Sequence, residues 1–224
     1  MWPFDCDQRG QMPIIQKFSY CFSGNIRFIQ STANRYGLQT NWWLDERRDF
    51  NKSTVAAVHY IRDLYKEFGS WYLVAASYNM GEAGLRRQIQ KNRSLDFWAL
   101  SAKGALPAET MDYVPKILAA MMIAKSPGVY GFHKLTKYDV LSYDLVRAPG
   151  GTDIGTLADH IGVTRKFLKE MNAELVQGAI PEHVLQHWIR VPRGAAVLAS
   201  EFLNSPKNFR KVAKKDFDSR VIIK

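Results

Sequence analysis

The chain has 224 residues, 46% hydrophobic and 23% charged, the balance of an ordinary globular protein large enough for one or two domains with a real core. Its formal charge of +10 favours anionic partners, namely nucleic acid, a membrane surface or an acidic cell-wall polymer. Residues 206–224 hold seven Lys/Arg against two Asp and so carry +5 of that total, which reads as a solvated basic tail before it reads as a binding arm. Cys6 and Cys21 are the two cysteines. No metal-ligand pattern surrounds them, so zinc is not expected, while a disulfide stays open. No apolar run approaches the roughly 18 residues of a membrane span. The start, Met1-Trp2-Pro3-Phe4-Asp5, has no basic stretch leading into an apolar one, so no secretory leader is read from it.

Residues 1–25 show neither helical nor strand periodicity, and a regular pattern starts at Ile26. Ser53 or Asn51 is placed to cap a helix with Val55, Val58, His59, Ile61, Leu64, Tyr65 and Phe68 as its apolar positions. Gly69 ends that helix. A second helix is expected from Trp71 to about Asn79, closed by Met80-Gly81, and a third from Glu82 to about Lys91. Pro107 opens a long helix to about Lys125 whose apolar face holds Leu118, Met121 and Met122. Pro115 should kink or divide it. A linker with Lys134, Lys137 and Asp139 follows. Residues 143–192 then read as strand, helix, helix, strand: Tyr143-Asp144-Leu145-Val146, a helix behind Thr152-Asp153 with Ile154, Leu157, Ala158 and Ile161, a second with Phe167, Leu168 and Met171, and Trp188-Ile189-Arg190-Val191-Pro192.

Few patterns carry chemistry by themselves. His183 and His187 are four apart, a spacing that can share a helical face, but no third ligand accompanies them and a metal is not expected. Phosphate loops, dinucleotide fingerprints and nucleophile elbows are absent from the sequence. Nucleic-acid binding would rest on charge alone and is not expected. The stretch from Tyr36 through Trp42-Trp43-Leu44-Asp45-Glu46-Arg47-Arg48-Asp49 reads either as a loop held by ion pairs around a tryptophan plug or as one wall of a sugar cleft. Trp71-Tyr72-Leu73-Val74-Ala75-Ala76-Ser77-Tyr78-Asn79-Met80-Gly81-Glu82 ends an apolar helical run on an aromatic and an amide, the place where a helix can present polar groups to a glycan.

That run, together with Phe28-Ile29-Gln30-Ser31-Thr32-Ala33-Asn34-Arg35-Tyr36-Gly37-Leu38, the 41–49 stretch and Glu109-Thr110-Met111-Asp112-Tyr113-Val114-Pro115-Lys116, resembles lytic murein transglycosylases of the membrane-bound D type. These belong to the soluble-lytic-transglycosylase-like, lysozyme-like glycoside hydrolases. The likeness runs in order through residues 26–132. Residues 143–192 are similar, more loosely, to a LysM module. The resemblance implies a mainly α fold, with a lysozyme-like helical transglycosylase domain followed by a small α+β LysM-like module. It implies cleavage of peptidoglycan glycan strands between N-acetylmuramic acid and N-acetylglucosamine without water. One Glu protonates the glycosidic oxygen and then serves as base while the muramic 6-hydroxyl closes on C1, leaving a 1,6-anhydro end; the usual second carboxylate is not needed. By position, Tyr78, Asn79 and Tyr113 match cleft residues of the family, with Ser77 where Ala is usual and Phe28 in the first matching run. These five are the substrate-binding candidates, whereas Asp45, Arg47, Arg48 and Asp49 are read as scaffold. No cofactor or metal is implied. The partner is the peptidoglycan glycan strand, the chain a monomer, and the location the bacterial cell envelope, in the periplasm or at the outer membrane.

One departure bears on activity. The family's Glu precedes a Gly-x-Trp-Gln-Phe-type segment, which here reads Gly24-Asn25-Ile26-Arg27-Phe28, and no Glu occurs before Gly24. The catalytic residue is therefore unassigned. A one-base frame shift over residues 1 to about 27 would reconcile both differences, because the shifted reading can supply a Glu within Arg9 and an Ala-rich approach to the missing Trp-Gln; the coding DNA decides it. Without the acid, a contribution of about 10²–10⁴-fold is lost, and Glu82 and Glu109 are not expected to replace it. Loss of the helix that carries the acid would also expose apolar core. The sequence therefore supports a transglycosylase lineage, with a non-catalytic peptidoglycan-binding protein as the alternative and a basic adaptor acting through its tail as a third reading.

Overall fold

The computed structural model describes residues 28–133 and 142–205. The atypical N-terminal segment with its missing Glu, the linker residues Lys134, Lys137 and Asp139, and the basic tail lie outside the described residues. The rest packs as two compact units, residues 28–56 with 142–205 and residues 57–133.

In the first unit, β1 (Tyr143–Pro149) pairs antiparallel with β2 (Gln186–Pro192), Tyr143 opposite Pro192 and Pro149 opposite Gln186. Between them run two short helices, so the strand–helix–helix–strand order read from the sequence is the order of the structure. The first is Ile154–His160, whose Asp153 cap accepts from the Thr156 amide. The second is Arg165–Met171, whose Thr164 cap accepts from the Phe167 amide. Strand alternation turns Val146 and Ala148 to the core and leaves Leu145 and Arg147 outside. Ile154, Leu157, Ala158 and Ile161 repeat at helical spacing and are all buried against that face. A further helix, Ala196–Leu203, escaped the sequence reading and adds Ala199, Phe202 and Leu203 to the same core.

Residues 28–56 join this core. They begin with a short helix, Gln30–Arg35. The Asn41 side chain then accepts from the Trp43 and Leu44 amides and shapes a turn that drives both side chains inward. The turn backbone docks on residues 174–176, with the Asp45 amide donating to the Glu174 carbonyl at 2.8 Å and the Val176 amide to the Trp43 carbonyl at 2.9 Å. Of the two readings of this stretch, the tryptophan plug held by ion pairs is the one found. Asp45 holds Arg47 at 2.8 Å, and buried Glu46 accepts from the Gln39 amide and from Lys52.

Arg190 lies between Ile189 and Val191 and so points to the opposite sheet face, which would be wet if nothing covered it. Here it is buried. Its guanidinium donates to the Glu174 carboxylate at 2.9 Å and to Asp49 at 2.5 Å, beneath the Phe50 ring at 4.6 Å and beside Tyr143 at 5.7 Å. The other Asp49 oxygen accepts from the Asn51 and Lys52 amides, both at 2.9 Å. Asp49 is thus the cap of the helix Phe50–Phe68, in place of the expected Ser53 or Asn51. Burial pushes the Glu174 carboxyl up to about 6, and the Asp49 charge adds to the rise while Arg190 opposes it.

His183 and His187 do not share a helical face. His187 sits in β2, edge-on to Trp43 at 5.4 Å, and His183 precedes the strand, 6.4 Å from Trp42. Burial and the Lys52 charge hold the His187 pKa below the ordinary histidine value.

In the second unit the helix that began at Phe50 ends at Phe68, where Gly69 has φ +67°. Its buried positions are Tyr60, Leu64 and Phe68. Ser53, Ala56 and Ala57 continue the same buried stripe, which is rotated from the expected one and leaves Val55 and Val58 exposed. The next helix in this unit, Trp71–Met80, ends at Gly81 with φ +87°, and Glu82–Asn92 follows. Phe97–Ala102, capped by Asp96, was not foreseen; it brings Phe97 and Leu100 into the core. The last helix, Ala108–Lys125, continues through Pro115 without dividing. Its buried residues are Thr110 and Val114, while Met121 and Met122 of the expected core face are exposed.

Two outcomes test the Arg190 cluster. Arg190→Met leaves two buried carboxylates unpaired and should destabilise the chain by about 3–5 kcal/mol in denaturant unfolding, with Glu174→Gln added to it recovering part of the loss. For Glu174 alone, a raised folded-state pKa means that the native state keeps the proton longer than the unfolded chain. Its contribution therefore falls as pH rises from its ordinary value of 4.5 towards about 6. Glu174→Gln should gain stability relative to the parent across that interval, by on the order of 1–2 kcal/mol; Tm differences measured at pH 4 and pH 7 check it.

Candidate functional site

Helices Trp71–Met80 and Ala108–Lys125 of the second unit flank a groove of about 820 Å³. Its walls are mostly apolar, with Ile61, Val74, Val114, Ile117, Leu118 and Met121, and Trp71 and Tyr72 lie along it. The exposed Trp71 ring stacks on Tyr65 at 4.5 Å, and Tyr72 meets Trp98 edge-on at 5.7 Å. Tyr78 and Tyr113 supply the phenols of the lining. Burial raises both pKa values, and Tyr113 raises that of Tyr78 further. Like any phenol at pH 7, both are neutral hydrogen-bond donors. Tyr78 is held from behind by Tyr60, centroid to centroid 5.8 Å.

Asn79 follows Tyr78 near the end of its helix and reaches the start of the facing one. Its Oδ1 accepts from the Thr110 hydroxyl at 2.7 Å, and its Nδ2 donates to Glu109 Oε1 at 3.3 Å. The structure thus brings Tyr78, Asn79 and Tyr113 into one unit, with the two tyrosines lining one groove. Ser77 is fully buried, and its hydroxyl has no hydrogen-bond partner. Phe28 belongs to the first unit, buried and 6.5 Å from the Tyr36 ring.

Sequence reasoning missed Thr110. Its signal was a polar residue four before Val114 on the buried stripe of an otherwise apolar helix face. Glu109, weighed only as a replacement acid, is exposed on the first helical turn, whereas a general acid works from an apolar surrounding. Among the described residues, no carboxyl lines the groove, and no three His, Cys, Asp or Glu side chains gather as a metal site. The groove can stack a sugar ring and donate from two phenols, and the Asn79 amide follows Tyr78 on the same helix.

The family model for the Transglycosylase SLT domain matches residues 23–101, a stretch that holds Phe28, Ser77, Tyr78 and Asn79 and stops before Tyr113. The chain is similar to membrane-bound lytic murein transglycosylase D of Escherichia coli K12, 34% identical over 188 residues, which are 82% of this chain and 40% of that protein. It is also 35% identical over 75 residues to a putative tributyltin chloride resistance protein of Alteromonas sp. strain M-1, 32% of this chain and 36% of that one. The chain therefore spans well under half the length of the curated relatives it matches.

An unpartnered buried hydroxyl carries a desolvation penalty of about 1–3 kcal/mol. Ser77→Ala removes it without opening a large cavity, so this variant should be as stable as the parent or more so by up to about 1 kcal/mol, read from urea unfolding midpoints.

Proposed function

For a chain of the lytic transglycosylase lineage with an SLT domain at residues 23–101, we propose that the groove holds a peptidoglycan glycan strand. The observation that carries this is the groove itself, an apolar trough with exposed aromatic rings and two neutral phenols. Pyranose rings stack on aromatic faces, and their hydroxyl and acetamido oxygens accept hydrogen bonds from phenols and amides. Tyr78, Asn79 and Tyr113 touch the sugar in this reading, and Ser77 only backs the helix that presents them. The reaction of the lineage is non-hydrolytic cleavage between N-acetylmuramic acid and N-acetylglucosamine, ending in a 1,6-anhydromuramoyl product. Residues 143–192 act as a LysM-like second contact with the same strand. The chain works as a monomer, without cofactor, in the cell envelope. The E. coli relative is membrane-bound by name, and among the described residues no helix is long and apolar enough to cross a membrane.

A second reading is favoured by one observation, that no carboxyl among the described residues lines the groove. In this reading the chain binds the glycan and does not cut it. Incubation of the full chain with purified sacculi, with products read by mass spectrometry, separates the two. Sedimentation with release of 1,6-anhydro ends supports the enzyme, and sedimentation without them supports the binder. Failure to sediment at all overturns both. Replacing Tyr78 or Tyr113 with Phe removes one donor and should weaken sedimentation several-fold, since one neutral hydrogen bond contributes about 0.5–1.5 kcal/mol.

A further inference from the structure

We infer that Glu109 and Thr110 are positioning residues that fix which way the Asn79 amide faces, so that Asn79 meets its ligand as a hydrogen-bond donor. The inference rests on the glycan-groove reading for what the ligand is, but not for how the amide is held. An asparagine amide has two ends of nearly equal shape and opposite chemistry, and its partners decide which end points where. The Glu109 carboxylate, 3.3 Å away, only accepts when ionised. The end of Asn79 that faces it is therefore the NH₂. This leaves Oδ1 on the side of Thr110, whose hydroxyl, at 2.7 Å, must donate.

Thr110 is 1% exposed, so this donation takes place away from competing water. Glu109 is exposed and adds charge from the solvent side. The two residues are consecutive on the first turn of Ala108–Lys125 and grip the amide from both ends. With one lone pair of Oδ1 taken by Thr110 and one Nδ2 hydrogen directed at Glu109, the second N–H is the donor that Asn79 keeps for a ligand. The group recognised there is an acceptor oxygen, such as a sugar hydroxyl or the carbonyl of an N-acetyl group. A flipped amide would turn an acceptor towards the same oxygen and repel it.

The test compares the full chain with Thr110→Val, Thr110→Ser and Glu109→Ala in two measurements. One is sedimentation with sacculi. The other, independent of any ligand, is the hydrogen-exchange rate of the Asn79 side-chain NH₂ by NMR. Thr110→Val should weaken sedimentation about tenfold, the equivalent of one buried hydrogen bond, and should speed Asn79 NH₂ exchange. Thr110→Ser, which restores the hydroxyl, should stay within about twofold of the parent in both. Glu109→Ala, a change at an exposed position, should speed the exchange without disturbing the fold. Thr110→Val behaving like the parent, or Thr110→Ser failing as badly as Thr110→Val, overturns the assignment, the latter because it makes the methyl rather than the hydroxyl decisive. If the parent chain does not sediment, the glycan reading falls, and the exchange rates alone decide the positioning role.

Discussion

A charge taken out of water must be neutralised where it lies, and the Arg190 guanidinium imposes that requirement on the first unit. Its two carboxylates come from distant stretches of chain: Asp49 from the start of a helix and Glu174 from the turn behind the second short helix. Phe50 and Tyr143 close over it. The Asn172 side chain anchors the strand from inside, accepting from the Arg190 amide at 2.7 Å and donating to the Arg190 carbonyl at 2.8 Å. Attraction alone does not make such a cluster stabilising, because the desolvation of three charges offsets much of it. What the cluster secures is register. Residues 41–50 must meet the small sheet in one alignment, since a shift of one residue would strand a buried charge.

Asp49 links this requirement to a second one. The carboxylate that neutralises Arg190 also caps the helix Phe50–Phe68, so the helix start is fixed by a tertiary contact as well as by its own amides. Net charge on Asp49 is favourable at both tasks, one towards a guanidinium and the other towards the positive end of the helix dipole.

The groove of the second unit works on a different balance. Its walls are mostly apolar, and the same burial raises the pKa of both tyrosines. A carboxylate held in that wall would have its pKa raised by the same desolvation, which is the environment a general acid needs. Among the described residues the wall has none.

Much of this was legible in the sequence. The strand–helix–helix–strand order followed from turn residues and caps that act locally: Asp153 and Thr164 cap the helices they precede whatever surrounds them. Gly69 and Gly81 end helices because their positive φ suits a residue without a side chain. Tyr78, Asn79 and Tyr113 were singled out by a family likeness in chain order. Other features depend on what lies across the gap. Val55 and Val58 looked like core by composition, yet the close-packed side is made of Ser53, Ala56 and Ala57, and apolar count says nothing of which face a neighbour covers. His183 and His187 fitted a helical spacing, but pairing with β1 drew His187 into a strand.

The sequence by itself determined the lineage, the mainly helical character and the order of elements, because these rest on short-range rules and on residue strings that survive in line. Only the tertiary structure decided that Arg190 would be buried between Asp49 and Glu174, and that Thr110 would turn its hydroxyl to Asn79. Asp49 stands 141 residues from Arg190 and Asn79 31 from Thr110, and separations of that kind leave no periodic trace in a chain. They arise when packed helices and strands bring two side chains within hydrogen-bond reach and exclude the water that would otherwise have satisfied them.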